Sequence, residues 1–138
     1  MNDPCVRPNT DFAMRETPTA LIDRGTDGIV TVRIRDGARQ SLDDAKQNLG
    51  AALDERAGRR CPILVDIREA EPLDAEVRHY YSGQILVDGF SALAMLIDAT
   101  PLGTMMGNVY LRVARPGIPT RLFTQPTQAH EWLATQLQ

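Results

Sequence analysis

Apolar residues in the first third of the chain follow the alternation of short strands. Residues 20–23 (ALID) form one apolar run, residues 25–28 (GTDG) have the composition of a tight turn, and residues 29–34 (IVTVRI) are rich in β-branched side chains. This pattern predicts an antiparallel hairpin.

Residues 1–18 contain three prolines among polar residues without periodicity, so we expect a flexible N-terminal segment ahead of a single domain over residues 19–138.

The clearest helix of the chain follows Ser41. Serine is a favoured N-cap residue, and Asp44 lies three residues later, as in a capping box. Apolar positions then recur at helical spacing through Leu53, and Gly58 ends the segment. The rest of the chain alternates between the two kinds of element, with strands predicted at 62–67, 92–97 and 120–123 and helices at 73–88, at 102–113 and from Thr124 onward.

The order of these elements, β-β-α-β-α-β-α-β-α, predicts the α/β class. We expect a mixed β-sheet of about five strands with helices packed on it, joined by right-handed connections. Residues 62–67 are apolar apart from Asp66, which is typical of a strand that is covered on both faces of a parallel sheet. The length of 138 residues suits one domain with a core of its own.

Charge and cysteine content narrow the class of protein. The net charge is −3 and the pI is about 5.3, whereas a general nucleic-acid binder carries a basic surplus, so we expect no nucleic-acid partner. Cys5 and Cys61 are too few for a disulfide framework and are expected to be free thiols. We see no signal peptide and no apolar run near the roughly 20 residues of a membrane span, so we expect a cytoplasmic protein.

The element order and several stretches of sequence resemble the STAS fold. This is the fold of the anti-sigma-factor antagonists (SpoIIAA-like) and of the SEC14-like lipid-binding domains, and the closer likeness is to uncharacterised bacterial STAS/SEC14-like proteins. It is carried, within residues 20–137, by the helix at 41–53, by residues 65–68 (VDIR), and by residues 119–124 (PTRLFT) with 131–133 (EWL). The resemblance implies a STAS-like domain over residues 19–138 and leaves the activity open.

The regulatory serine of the antagonists is missing from this chain. In those proteins an aspartate ends the third strand, and eight positions later Asp-Ser-Ser-Gly opens a helix whose second serine is phosphorylated by a partner kinase. Asp66 and Asp74 have that spacing here, but Ala75, Glu76 and Val77 replace the two serines and the glycine. We therefore expect no phospho-regulation at this point. Glu76 either mimics the phosphorylated state, with less charge than a phosphate, or simply favours the helix dipole.

Residue types that carry catalysis or bind metals do not cluster in the sequence. His79 and His130 fall in separate helices without a second ligand at metal-binding spacing, and the nucleophile-elbow, Walker A and dinucleotide-binding motifs are absent. Asp66 could match the phosphoacceptor of a response-regulator receiver, but the required lysine is missing because Lys46 lies in a helix. We expect a non-catalytic protein without cofactor or metal. An enzyme would have to be built from Asp66, Asp98 and His79.

Four polar residues follow predicted strands and would gather at one edge of a parallel sheet, where ligands bind in open α/β folds: Asp66, Asp98, Thr100 and Thr124. Each also has a simpler explanation. Asp98, Thr100 and Thr124 can cap the helices that follow them, and Asp66 can accept hydrogen bonds from neighbouring loop amides.

The leading prediction is a STAS-like interaction or regulatory module that binds a protein partner or itself. We place the partner-binding surface at the start of the second helix, on Arg68, Asp74, Glu76 and Arg78. The alternative is a small-ligand or lipid-binding domain of the SEC14-like kind, with the helix at 102–113 lining a pocket. Adjacent residues cannot share one helix face, so one member of Tyr80-Tyr81 and one of Met105-Met106 should point partly outward, as at a homodimer interface.

Overall fold

The computed structural model describes residues 14–25, 27–56, 58–68, 70–101, 103–105, 108 and 117–137. These residues contain one six-stranded sheet in which the strands lie side by side in chain order. The strands are β1 (Met14–Glu16), β2 (Ala20–Arg24), β3 (Val30–Ile34), β4 (Cys61–Asp66), β5 (Phe90–Leu96) and β6 (Thr120–Phe123). β2 is antiparallel to both of its neighbours, β1 and β3, and β3 through β6 are parallel.

The predicted α/β class, the mixed sheet and the antiparallel hairpin are confirmed. The hairpin pairs Ala20 with Ile34 and Arg24 with Val30. The sheet has six strands rather than about five, because Met14–Glu16 pairs with β2 although it belongs to the segment that we expected to be flexible. Residues 1–13 lie outside the described residues.

Helices flank the sheet in the order that the sequence predicted. They are α1 (Leu42–Glu55), α2 (Ala75–Tyr81), α3 (Gln84–Gly89) and α4 (Pro126–Ala134). The Ser41 hydroxyl accepts a bond from the Asp44 amide, and the Asp44 carboxylate accepts one from the Ser41 amide, so the predicted capping box is present. Pro101 and residues 103–105 and 108 are helical, while the rest of the helix predicted at 102–113 lies outside the described residues.

The single helix predicted over 73–88 is in fact two helices. Ser82 ends α2, and Gly83 begins α3 with an extended backbone at φ −82° and ψ −171°. Glycine is among the least favourable residues within a helix, so interrupting the helix at Gly83 costs little free energy. Tyr80 and Tyr81 are both half-buried, and their ring centroids lie 6.1 Å apart. Met105 is exposed, as predicted for one member of the Met105-Met106 pair.

The core lies on both faces of the sheet. Alternate residues of β5 face opposite ways: Leu93 and Met95 join the cluster under α1 and α3, whereas Ala92 and Ala94 join the cluster under α4. This two-sided burial explains why β4 and β5 read as nearly continuous apolar runs. The polar exception, Asp66, stands at the last position of β4 and opens the site described next.

Candidate functional site

The carboxyl ends of the central parallel strands bring charged residues together. Asp66 at the end of β4 and Asp98 just after β5 line an open depression of about 360 Å³, which Arg33, Asp36 and Arg68 also border. The sequence analysis predicted this edge and two of its residues, Asp66 and Asp98. It did not name Arg33 or Asp36, which come from β3 and its following turn and are brought alongside by strand pairing.

An ion pair between Asp66 and Arg68 organises the floor of this depression. The Arg68 guanidinium donates from Nε to Oδ1 at 3.0 Å and from Nη2 to Oδ2 at 2.8 Å, and the Arg68 amide donates to Oδ1 at 3.1 Å. Asp66 is only 7% exposed. A buried carboxylate that receives a bidentate guanidinium and an amide is held in one orientation. Asp66 therefore anchors the loop after β4, as its simpler explanation predicted.

The two threonines predicted at this edge do not line the depression. Thr100 accepts a hydrogen bond from the Gly103 amide at 3.0 Å, so it caps the following helical turn as proposed. Gly103 lies close to the backbone of Asp98, since a Cβ added at Gly103 would lie 2.6 Å from the Asp98 carbonyl oxygen. Thr124 was wrongly predicted as the cap of the last helix. The N-cap of α4 is Gln125, because Pro126 occupies the first helical turn and fixes the start of the helix one residue later.

The residues predicted to bind a partner differ in how free their side chains are. Arg68 is held by Asp66, as described above. Asp74 is the N-cap residue of α2, makes no capping bond, and pairs its carboxylate with exposed Arg39 at 3.2 Å. Glu76 is exposed in the first turn. Arg78, in contrast, folds back and donates to the Leu73 carbonyl at 2.7 Å. Its Nε is buried without a hydrogen-bond partner among the described residues.

An apolar cavity of about 50 Å³ lies between the sheet and the first three helices. Side chains of β3, β4 and β5 form its floor, and Leu49, Ala52 and Leu86 close it from above. One end is polar, where Gln40, Asn48 and Tyr81 line the wall.

Asn48 is the centre of a buried polar network at that end of the cavity. It is 1% exposed, its amide nitrogen donates to Thr19 at 2.9 Å and to Gln40 at 3.0 Å, and its oxygen accepts from the Thr17 hydroxyl. The Tyr81 hydroxyl donates to the same Gln40 oxygen. Burial raises the pKa of Tyr81 far above its usual range, since a phenolate would be desolvated there. The sequence analysis missed this network, although an asparagine on the apolar face of α1 was a usable signal.

Within the described ranges, no three His, Cys, Asp or Glu residues approach one another as metal ligands would. His79 stands exposed on α2, and His130 on α4 lies 3.6 Å from Asp27. No helix in the described part of the chain is both long enough and apolar enough to cross a membrane.

The element order and the mixed sheet give this domain a SpoIIAA-like fold. The structure resembles the crystal structure of an uncharacterised protein of the DUF3478 family with a SpoIIAA-like fold from Shewanella loihica PV-4, with a TM-score of 0.56 and 17% identity over 87% of this chain and 98% of that chain. The chain belongs to the family DUF7793, a domain of unknown function, whose model matches residues 24–137. No curated protein matches it. The STAS-like fold inferred from sequence is therefore confirmed.

Proposed function

We propose that this protein is a non-catalytic STAS-like interaction or regulatory module, and that it binds a protein partner through the first turn of α2 and the loop before it. The observation that carries the proposal is the exposed acidic start of α2. Asp74 and Glu76 are both exposed, and by the resemblance Glu76 stands where the antagonists carry their regulatory serine. A charged, exposed helix start favours recognition by electrostatic complementarity.

The neighbouring loop supports this proposal because it is fixed in place. Asp66 and Arg68 hold the residues after β4, and the Glu71 amide donates to the Ala38 carbonyl at 3.1 Å. A surface that is already ordered loses less conformational freedom when a partner binds. The same ion pair also argues for a non-catalytic role, since it occupies the Asp66 carboxylate that an enzyme would need, and His79 stands apart from the depression.

Charge reversal at Glu76 tests the proposal. A partner is first identified by crosslinking the protein in lysate of its source organism and is then purified, and its affinity is compared for wild type and Glu76→Lys. We expect the affinity to fall at least about tenfold, which corresponds to about 1.4 kcal/mol. Glu131→Lys is the matched control, because Glu131 is an exposed glutamate on α4. Equal affinities for wild type, the control and Glu76→Lys would overturn the proposal.

Arg78 is left unchanged in this experiment. Its guanidinium holds the Leu73 carbonyl, so reversing its charge would disturb the loop as well as the surface. Arg39→Gln is the better companion variant, because it removes the exposed partner of Asp74 without touching a buried group. We expect it to change partner affinity and to leave thermal stability nearly unchanged.

A second candidate function, binding of a small apolar ligand, is favoured by the cavity under α1. Its volume of about 50 Å³ lies far below the roughly 300–1,000 Å³ of ordinary ligand pockets, so a lipid chain would require the helices to move outward. Native mass spectrometry of protein purified from its source organism, before and after solvent extraction, tests this candidate. An extractable adduct that is reduced in Val32→Ile, which adds one methyl group to the cavity wall, would support it, and the absence of any adduct would eliminate it.

A further inference from the structure

A second depression lies at the opposite edge of the sheet, where the parallel strands begin. Its volume is about 470 Å³, and four of the residues that line it are arginines: Arg24, Arg56, Arg59 and Arg60. They come from the end of β2 and from the segment that joins α1 to β4. We call this feature the arginine depression. It is separate from the depression that Asp66 and Asp98 line, with which it shares no lining residue.

The positive charge of the arginine depression is not neutralised within the described part of the chain. No described carboxylate oxygen lies within 4.0 Å of any of the four guanidiniums, although other arginines of the protein, such as Arg15, Arg35 and Arg68, do pair with carboxylates. Asp27, the one acid among the described residues that line the depression, lies 3.6 Å from His130. This uncompensated charge is notable in a protein whose net charge is −3.

Two of the four arginines are held in fixed orientations. Arg56 donates to the Leu53 carbonyl at 3.1 Å and to the Gly89 carbonyl at 3.3 Å, and Arg60 donates twice to the Val87 carbonyl, at 3.3 and 2.9 Å. These carbonyls lie in or at the ends of α1 and α3, whose partial negative charge explains why cations gather there. A carbonyl dipole orients a guanidinium without cancelling its formal charge.

Bonds to helix carbonyls do not explain the positions of the other two arginines. Arg24 and Arg59 are exposed, and neither side chain makes a hydrogen bond to a described residue. The electrostatic field of the cluster reaches the thiol of Cys61, which lines the same depression. Burial raises the pKa of Cys61, and the charges of Arg56, Arg24 and Arg59 act in the opposite direction. Arginines from β2 and from the segment between α1 and β4 therefore contribute positive charge to the same depression.

We propose that the arginine depression is a binding site for a phosphate-bearing anion with two or more negative charges, either a free oligophosphate or the phosphate headgroup of a lipid. Guanidinium groups bind phosphate through paired, charge-assisted hydrogen bonds, and a pocket that combines oriented arginines with exposed ones suits several phosphate oxygens. The depression is large enough for such a group. This inference goes beyond the proposed function, because it concerns the edge of the sheet opposite to the acidic start of α2.

Cys61 provides the readout for a test of this proposal. In a Cys5→Ser protein the rate of maleimide labelling at Cys61 is measured while sodium tripolyphosphate is added, and separately with vesicles of equal parts phosphatidylcholine and phosphatidic acid or of phosphatidylcholine alone. An anion bound in the depression covers the thiol and disfavours its thiolate, so labelling slows and the effect saturates. Protection by tripolyphosphate identifies a free phosphate as sufficient, and protection by the phosphatidic acid vesicles alone identifies a lipid headgroup.

Two variants separate specific binding from general charge. Arg24→Gln with Arg59→Gln should weaken protection at least about tenfold, because each contact between a guanidinium and an anion is a charge-assisted hydrogen bond. Lys46→Gln, at an exposed position on α1, should leave protection unchanged. Unaltered melting temperatures show that the variants fold. Labelling that is insensitive to both tripolyphosphate and the vesicles, or protection that is equal in the double variant and the wild type, would overturn the proposal.

Discussion

Replacing Asn48 by alanine should be among the most damaging single changes in this protein. The side chain is 1% exposed and connects the loop before β2, the residue before Ser41 and helix α2. Alanine keeps the helix but removes both the donor and the acceptor of the amide. The hydroxyls of Thr17 and Thr19 and the amide oxygen of Gln40 then each lose a hydrogen-bond partner.

The expected cost follows from the three shorter of the four hydrogen bonds that the substitution removes, since the fourth, to the Tyr81 hydroxyl, is 3.5 Å long. A buried hydrogen bond contributes about 1 kcal/mol net, so the loss is about 3 kcal/mol. Gln40 retains its bond from Tyr81, which keeps the cost from rising further. Against a total stability of about 5–15 kcal/mol for a typical domain, this is a large fraction, and it corresponds to a fall in melting temperature of roughly 10 °C.

Urea unfolding followed by circular dichroism measures this loss. Gln47→Ala is the matched control, since Gln47 is the exposed neighbour on the same helix, and its effect should stay within about 0.5 kcal/mol. Tyr81→Phe should cost about 1 kcal/mol alone and more in the Asn48→Ala background, because the buried Gln40 oxygen then loses both of these side-chain donors. A loss below about 1 kcal/mol for Asn48→Ala, with an unchanged denaturant slope, would refute the reasoning.

Three further predictions concern a cap, two glycines and a partly buried acid. Ser41→Ala should lower the free energy of unfolding by about 1 kcal/mol by opening the capping box of α1, and a change below about 0.3 kcal/mol in urea titrations would contradict this. Gly58→Ala should destabilise by about 1 kcal/mol, because φ is 77° there, whereas Gly50→Ala within α1 meets no atom within 4 Å and should stabilise, so the two melting temperatures should move in opposite directions. Burial, together with nearby Asp27, raises the pKa of Asp23. The stability that this carboxyl contributes is present below its unfolded pKa of about 3.9 and is lost as pH rises through its folded pKa, so Asp23→Asn should raise the melting temperature at about pH 7 but not at about pH 3, and equal shifts would refute this.

Local signals allowed much of the fold to be predicted from the sequence. The Ser41–Asp44 capping box needs only four consecutive residues, and the apolar runs that became β4 and β5 were placed to within a residue or two of their bounds. The alternation of strand and helix then implied a mixed sheet. β1 could not be predicted in this way. Its three residues are held by pairing with β2 and by ion pairs from Arg15 to Asp54 and Glu55, which are about forty residues away in sequence.

The candidate site was predicted in part for similar reasons. Asp66 could be predicted because a carboxylate interrupts an otherwise apolar strand. The Arg68 amide, two residues away in sequence, donates to it, and a bond of this kind from a loop amide was predicted. The inward turn of Arg78 onto Leu73 was not, since it depends on how the loop before α2 folds back. The arginine depression was missed because Arg24 lies more than thirty residues from Arg59 in sequence, and only strand pairing brings them to one surface.

The separation of the core into two faces has a consequence for synthesis on the ribosome. Among the described residues, the helix that covers the second face is α4, which follows every other element in the chain. Leu64 and Ala94 are therefore translated well before Ala129 and Leu133, their packing partners. At about 5–20 residues per second, the strip of β4 and β5 that they line stays uncovered for several seconds. Until α4 emerges, the nascent sheet offers an apolar surface to chaperones or to neighbouring chains.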